Sequence, residues 1–438
     1  MRLPDRIGSI RHDLPFVERR ARLVETAVNK GAPFLGRRVV VGVTGGIAAY
    51  KAAELVRLLV REAAEVRVAM TENATRFVAP LTFEALSGHR VIRSMWEADG
   101  TGIDHIAWGQ ETDLILVAPA TANIIGKAAC GIADDFLSTM LLAATAKTLL
   151  CPSMNTRMFE NPVLQENLSR LLKRGFSALM PGVGALACRT EGRGRLPEPE
   201  DILEEARRLL TPQDLEGRKI LVTAGATREP IDPVRYVSNR SSGKMGYALA
   251  RAARQRGATV VLVSGSTALK PPVGVEVVGI GTALDMRQAV FSRLDGCDMV
   301  IKAAAVSDYR PKTAAPQKVK KGAEELNLDM VKNPDILKEL GMSKGDDGPL
   351  LVGFAAETEA LLEHAREKLR SKNLDMIVAN DVSAADAGFQ TDTNRVKMLF
   401  RDGRVEESGL LSKDAVAHLV LDRAMEILTR RPGEARRD

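Results

Sequence analysis

The sequence predicts an α/β protein made of two doubly wound domains, and three observations carry that prediction. At 438 residues the chain exceeds what one hydrophobic core usually organises, so two domains are expected. Short runs rich in valine, isoleucine and leucine alternate with helical patterns along the chain, the mark of parallel sheets covered by helices on both faces. Each half also opens on a strand that runs through small residues into a helix. In the first half, residues 39–43 lead through Thr44-Gly45-Gly46-Ile47 to the helical pattern 52–60. In the second, residues 220–223 lead to Ala224-Gly225-Ala226, and a further turn, Ser241-Ser242-Gly243-Lys244-Met245-Gly246, opens a helix over 247–255. A strand ending in small residues at a helix N-terminus leaves backbone N–H groups free, and the helix dipole there favours an anion. Each half therefore looks built to hold a phosphate.

Residues 1–36 are polar and basic, with one amphipathic pattern at 16–29, and read as an N-terminal extension outside the main fold. The first domain, 37–211, shows buried strands at 39–43, 66–70, 114–118 and 148–152. Its last helix, 201–210, follows Leu196-Pro197-Glu198-Pro199-Glu200, and the polar stretch from Thr211 to Gly217 marks the boundary. The second domain, 217–430, repeats the alternation with strands at 220–223, 259–264, 299–304, 350–354 and 376–379. Strands 396–400 and 404–407 flank Arg401-Asp402-Gly403, whose Asp-Gly signals a hairpin, so this sheet is mixed with an antiparallel edge.

Composition narrows the function. Apolar residues make up 45% and charged residues 27%, ordinary for a globular protein, and no apolar run reaches the length of a membrane span. The N-terminus carries Arg2, Asp5, Arg6, Arg11, His12 and Asp13 and no signal-type apolar stretch, so a cytoplasmic protein with no membrane partner is expected. The net charge of +6 comes with only 4% aromatics and with acidic residues mixed among the basic ones, which fits small anionic ligands and not nucleic acid. Four cysteines, Cys130, Cys151, Cys188 and Cys297, form no CxxC pair, so neither a zinc site nor a disulfide framework is indicated, and no protein metal site is expected.

Three segments of the first half fall where strand ends converge: Ala118-Pro119-Ala120-Thr121-Ala122-Asn123, Pro152-Ser153-Met154-Asn155, and the Gly-rich run from Ala187 to Leu196. In this order, after Thr-Gly-Gly-Ile, they resemble the flavin-dependent phosphopantothenoylcysteine decarboxylases. The resemblance implies a flavodoxin-like flavoprotein domain that binds FMN through Gly45, Gly46, Thr71, Thr121, Asn123 and Met154. It implies oxidation of the carbon beside the substrate sulfur, loss of carbon dioxide from the resulting thioaldehyde, and return of the hydride with a proton. His105 matches the family's active-site histidine, Asn155 the asparagine that holds the substrate carboxylate, and Cys188 the proton donor on a flap. Read from the residues alone, His105 is a structural helix histidine and Asn155 a helix cap. A thiol of pKa about 8.5 stays protonated at neutral pH and can serve as an acid. Cys130 and Cys151, in apolar or small-residue surroundings, read as packing. Arg189-Thr190 after Cys188 and Ser153 depart from the family's usual residues.

The second half carries Gly225-Ala226-Thr227-Arg228-Glu229-Pro230 through Ser238-Asn239-Arg240-Ser241-Ser242-Gly243-Lys244, with Ala226 in place of the usual proline. It resembles the phosphopantothenate-cysteine ligases fused to such decarboxylases in bacteria, and the whole, over roughly 37–425, resembles the bifunctional coenzyme A biosynthesis enzymes. This implies a Rossmann-like ligase domain that uses CTP and Mg2+ to turn the phosphopantothenate carboxylate into an acyl-cytidylate, from which cysteine displaces CMP. Asn239 matches the residue that stabilises this intermediate. Ser241, Ser242, Gly243, Asp308, Lys318, Asn333, Pro334, Asp335, Ile336, Phe354, Lys368 and Lys372 match nucleotide-site positions. From the residues alone, 318–321 is a solvated basic loop. The resemblance also implies a homo-oligomer, with trimeric flavin domains and dimeric ligase domains combining into a dodecamer. Two alternatives stay open at this point: an FMN-binding regulatory subunit on the same fold, and a nicotinamide-dependent dehydrogenase, although neither opening gives a clean GxGxxG.

Overall fold

Alternate residues of β1 (Arg38–Val43) meet different helices, which is why the strand is apolar from Val39 onward. Val39, Val41 and Val43 pack with Leu55, Val56 and Leu59 of the helix Ala49–Arg61 and with Ile202 and Ala206 of the helix Pro199–Leu210. Val40 faces the other way, into a cluster with Ile124 and Ile125 of the helix Ala122–Cys130 and Phe136 and Met140 of the helix Phe136–Ala143. Burial of each such large side chain contributes about 1.5–3 kcal/mol. The computed structural model describes residues 32–96, 104–185, 191–320, 327–345, 347–357, 361–381 and 391–430. The expected helix at 16–29 and Cys188 lie outside the described residues. The chain divides into two compact units, between Leu210 and Thr211.

In the first unit, β2 (Glu65–Met70), β3 (Leu114–Ala120), β4 (Lys147–Pro152) and the short β5 (Ser177–Ala178) join β1 in a wholly parallel sheet ordered β2-β1-β3-β4-β5. This is the flavodoxin-like order, and its reversal between β1 and β3 opens a crevice at their carboxyl ends. An antiparallel ribbon, β6 (Gly182–Ala185) and β7 (Glu191–Arg195), follows the sheet.

In the second unit, β8 (Lys219–Ala224) is followed by a small ribbon of β9 (Arg228–Pro230) and β10 (Tyr236–Ser238). The sheet continues with β11 (Thr259–Ser264), β12 (Glu276–Gly279) and β13 (Met299–Lys302). A second ribbon pairs β14 (Tyr309–Pro311) with β15 (Met330–Lys332), and β16 (Leu350–Glu357) and β17 (Met376–Asp381) return to the sheet. β18 (Thr393–Asn394), β19 (Val396–Phe400), β20 (Val405–Glu407) and β21 (Leu411–Ser412) complete the strands. The order is β12-β11-β8-β13-β16-β17-β19-β20, parallel through β17 and antiparallel at β19 and β20. Its six parallel strands follow the Rossmann order, with the reversal between β8 and β13. The Asp402-Gly403 turn closes the expected edge hairpin, Phe400 N–H donating to the Arg404 carbonyl at 3.0 Å. The strand expected over 299–304 stops at Lys302, because the Ala304 N–H turns to the Thr223 hydroxyl, 3.2 Å away, and not to a neighbouring strand. Among the described residues no helix is long and apolar enough to cross a membrane, and no group of three potential metal ligands occurs.

Two candidate active sites

The first cavity, about 800 Å³, lies at the carboxyl ends of β1 and β3 and is lined by Thr44, Gly45, Gly46, Thr71, Asn73, Thr121, Asn123, Met154 and Asn155. The Thr44 hydroxyl donates to the Pro119 carbonyl at 2.6 Å and accepts from the Thr121 N–H at 3.1 Å, tying the two loops together. A Cβ on Gly45 would stand 2.5 Å from Cβ of Asn73, so only glycine lets the turn after β1 close here. The helices Ala49–Arg61 and Ala122–Cys130 both begin at this cavity, and neither has a side-chain cap. The helix Phe136–Ala143, by contrast, carries a full capping box from Asp135 and Ser138. First-turn N–H groups left without side-chain acceptors suit an anion. The cavity's cations are already paired. Lys51 binds Glu198 at 2.9 Å, and Lys127 binds Asp134 and Asp135 at 2.6 Å. Burial works against the Lys127 charge, but those carboxylates outweigh it and hold its pKa above the ordinary lysine value.

Asn155 is the helix cap its position suggests, its Oδ1 accepting from the Arg157 N–H at 2.9 Å at the start of the helix Thr156–Phe159, and the residue also lines the cavity. The Met154 N–H donates to the Gly194 carbonyl at 3.0 Å, which seats the β6–β7 ribbon against the same loop. His105, half-buried on the helix Asp104–Glu111, is not among the lining residues. Cys151 is fully buried and burial pushes its thiol pKa well up, as expected of packing. Cys130 departs from that expectation: it ends its helix at an exposed position, beyond the buried face of Ile124, Ile125 and Ala129. Asn73, Lys51 and Lys127 were not anticipated from sequence.

The second cavity, about 610 Å³, lies at the carboxyl ends of β13, β16 and β17, over the start of the helix Lys244–Gln255. It brings together Asn239, Ser241, Ser242, Gly243, Asp308, Asn333, Pro334, Asp335, Ile336, Phe354, Lys368 and Lys372. The helix Lys244–Gln255 starts at Gly243 without a side-chain cap and begins earlier than the expected residue 247. A Cβ on Gly246 would lie 2.5 Å from that of Ala224, so glycine sets how closely this helix sits on β8. Asn333 Nδ2 donates to the Ser307 carbonyl at 2.8 Å, and its Oδ1 accepts from Arg310 at 3.0 Å. Asp335 accepts from the Lys338 N–H at 3.1 Å and pairs with Lys372 at 2.9 Å. Burial acts to raise the Asp335 pKa, but those two partners outweigh it and hold the carboxyl below its usual range.

Among the described residues, two polar atoms lining this cavity are buried without a hydrogen-bond partner: Ser307 Oγ and Asn380 Oδ1. Together with the open helix start they fit a polar, anionic ligand such as a nucleotide. Lys318 is exposed and does not line the cavity. Its loop is held away at Val319, whose N–H donates to Asp232 at 3.1 Å and whose carbonyl accepts from Arg235 at 2.7 Å. Lys244, Lys302, Lys332, Lys413, Asn380 and Asn394 also line the cavity and were missed from sequence.

Residues 30–211 match the Flavoprotein family model, and residues 215–428 match that of the DNA/pantothenate metabolism flavoprotein C-terminal domain. The chain is 49% identical over 403 residues to the Coenzyme A biosynthesis bifunctional protein CoaBC of Bacillus subtilis (strain 168), covering 91% of this chain and 98% of that one. It belongs to the CoaBC family of bifunctional coenzyme A biosynthesis proteins. The Escherichia coli (strain K12) member is 45% identical over 407 residues, covering 92% of this chain and 99% of its own. A crystal structure of the C-terminal domain of a CoaBC protein aligns with 46% identity, 49% of this chain, 97% of that chain and a TM-score of 0.43. Family membership across both halves sets aside the dehydrogenase and the regulatory subunit.

Proposed function

We propose that the chain makes 4'-phosphopantetheine from 4'-phosphopantothenate, ligating cysteine at the second cavity and decarboxylating the product at the first. The observation that carries this reading is the pairing of two cavities at strand carboxyl ends, each opening on helix starts without side-chain caps, with family matches on both halves.

At the second cavity the phosphopantothenate carboxylate attacks the α-phosphorus of CTP, and pyrophosphate leaves with the electron pair. The cysteine amine then attacks the acyl carbon and CMP departs. Asn239 donates to the acyl-cytidylate, while Ser241, Ser242 and the N–H groups from Gly243 onward hold phosphate oxygens. Asp308, the Asn333-Pro334-Asp335-Ile336 turn and Phe354 surround the rest of the nucleotide, and Lys368 and Lys372 offset charge. Lys318 enters on resemblance alone. Mg2+ accompanies the triphosphate, whose oxygens are its preferred ligands.

At the first cavity the residues fit FMN: the glycine turn and the two helix starts receive its phosphate, and Thr71, Thr121, Asn123 and Met154 border the remaining volume. Bound FMN supplies reversible hydride acceptance, which makes the carbon beside the substrate sulfur oxidisable. The Asn155 amide holds the substrate carboxylate as a neutral donor that still lets it depart as carbon dioxide. His105 assists thiol deprotonation, and Cys188, on the segment joining β6 to β7, delivers the final proton; both roles follow the resemblance. The protein acts in the cytoplasm, as trimers of the flavin unit and dimers of the ligase unit combined into a dodecamer.

The test is direct. Purified protein should be yellow, should bleach on adding phosphopantothenoylcysteine, and should release pyrophosphate from CTP only with phosphopantothenate present. A colourless protein that cannot be loaded with FMN, or nucleotide-independent ligation, overturns the proposal.

A further inference from the structure

Lys302 ends β13, the strand beside the sheet reversal, and shares the parity of Val300, which packs toward the helices Ile336–Ser343 and Leu361–Ser371. It is 9% exposed and lines the second cavity, yet nothing among the described residues hydrogen-bonds or ion-pairs its ammonium. The other deeply buried lysine side chains are compensated: that of Lys344 is 6% exposed and paired with Asp375, and Lys413, 7% exposed as a residue, donates to the Thr391 carbonyl at 2.5 Å. The carboxylate felt most by Lys302 is Asp335, already engaged by Lys372 and the Lys338 N–H. The other charged groups facing the cavity are Arg240, Lys244, Lys332, Lys368 and Lys413, with Asp308 the remaining acid. A buried cation is normally paired, so an unpaired one that shares its cavity with an open helix start and the orphaned Ser307 hydroxyl points to an absent anion.

We propose that Lys302 is a phosphate-binding residue of the ligase cavity, its ammonium meeting the phosphate chain of the nucleotide opposite the backbone N–H groups that begin the helix Lys244–Gln255. This rests on the reading of the second cavity as a nucleotide site. Burial, aided by Lys372 and opposed by Asp335, lowers the Lys302 pKa to about 8 in the empty cavity. A phosphate placed against it restores the charge, so nucleotide binding above that pH takes up a proton.

The experiment is calorimetric titration of the full chain with CTP at pH 8.5, in two buffers of different ionisation enthalpy; free CTP is fully ionised there. Wild type should take up a fraction of a proton per CTP, the share of Lys302 that is neutral at that pH. Lys302→Gln should weaken binding about tenfold or more and abolish the uptake, the usual scale for losing a charge-assisted contact. Lys302→Arg should retain affinity within a few fold yet lose the uptake, because arginine does not titrate there, and this variant also guards against misfolding of the first. An unchanged far-ultraviolet circular dichroism spectrum and urea transition of the second unit serve as a check that Lys302→Arg is folded. Wild-type protein that binds neither CTP, ATP nor pyrophosphate overturns the nucleotide reading and this inference together. CTP binding whose affinity and proton uptake survive Lys302→Gln overturns this inference alone.

Discussion

Replacing Lys302 by methionine should stabilise the empty ligase unit while impairing its ligand binding. Among the described residues the ammonium is buried without a partner, and burial lowers its pKa from the ordinary lysine value of 10.5 to about 8. At about 1.4 kcal/mol per pKa unit, the charged side chain costs the folded state about 3 kcal/mol. The penalty depends on pH in a defined direction. Below pH 8 the lysine is charged in both folded and unfolded chains, and the folded state bears the full cost. Between pH 8 and about 10.5 the folded protein gives up the proton while the unfolded chain keeps it, so wild-type stability rises relative to Lys302→Met. Above that window the difference closes. Methionine has similar length and fills the same volume without charge. Urea unfolding followed by far-ultraviolet circular dichroism should show the second unit of Lys302→Met more stable by about 3 kcal/mol at pH 7, and by little at pH 10.5. Both tryptophans, Trp96 and Trp108, belong to the first unit, so their fluorescence gives an internal reference that should not move. A destabilised variant at pH 7, or a difference of equal size at both pH values, would refute the reasoning.

Asn239→Asp should depress ligation by two orders of magnitude or so while decarboxylation of supplied phosphopantothenoylcysteine is unchanged, since a carboxylate there repels the acyl-cytidylate phosphate; equal loss of both activities counts against separate sites. Cys188→Ala should release carbon dioxide at a near-normal rate but accumulate an oxidised enethiol product on mass spectrometry, and a normal yield of phosphopantetheine would remove Cys188 from the final protonation. Lys318→Gln separates the resemblance from the geometry: a loss of about 100-fold or more in CTP-dependent pyrophosphate release requires this exposed loop to close over the triphosphate, whereas a change within a fewfold assigns it to solvent. Gly246→Ala places a Cβ 2.5 Å from that of Ala224 and 2.9 Å from the Thr223 carbonyl, so it should cost about 1–3 kcal/mol in the second unit and lower ligation, read by denaturation and by activity.

The central strands of both sheets were legible because two-sided burial makes them continuous apolar runs, as in Val39–Val43 or Met376–Ala379, bounded by turn residues. β12 was not legible: it is an edge strand with largely exposed or half-exposed residues, following Pro271-Pro272, and only pairing with β11 makes it a strand. The binding loops were legible as motifs because glycine turns and helix starts are local features. What sequence could not provide was which cavity a helix residue faces. His105 has the same local signature whether it lines the flavin cavity or not, and Lys318 sits in a basic run whose tether, through Val319 to Asp232 and Arg235, spans more than 80 positions. Lys302 was hidden for the complementary reason: one lysine closing an apolar strand looks solvent-bound until the sheet order puts it at the reversal.

The most direct test of the whole account is isotope-resolved mass spectrometry of the purified chain, loaded with FMN and supplied only with phosphopantothenate, cysteine, CTP and Mg2+. Phosphopantetheine, CMP, pyrophosphate and carbon dioxide should form in equal amounts, with the cysteine nitrogen and sulfur retained in the product. Ligation that proceeds without CTP, or product that stops at phosphopantothenoylcysteine in the FMN-loaded protein, would contradict it.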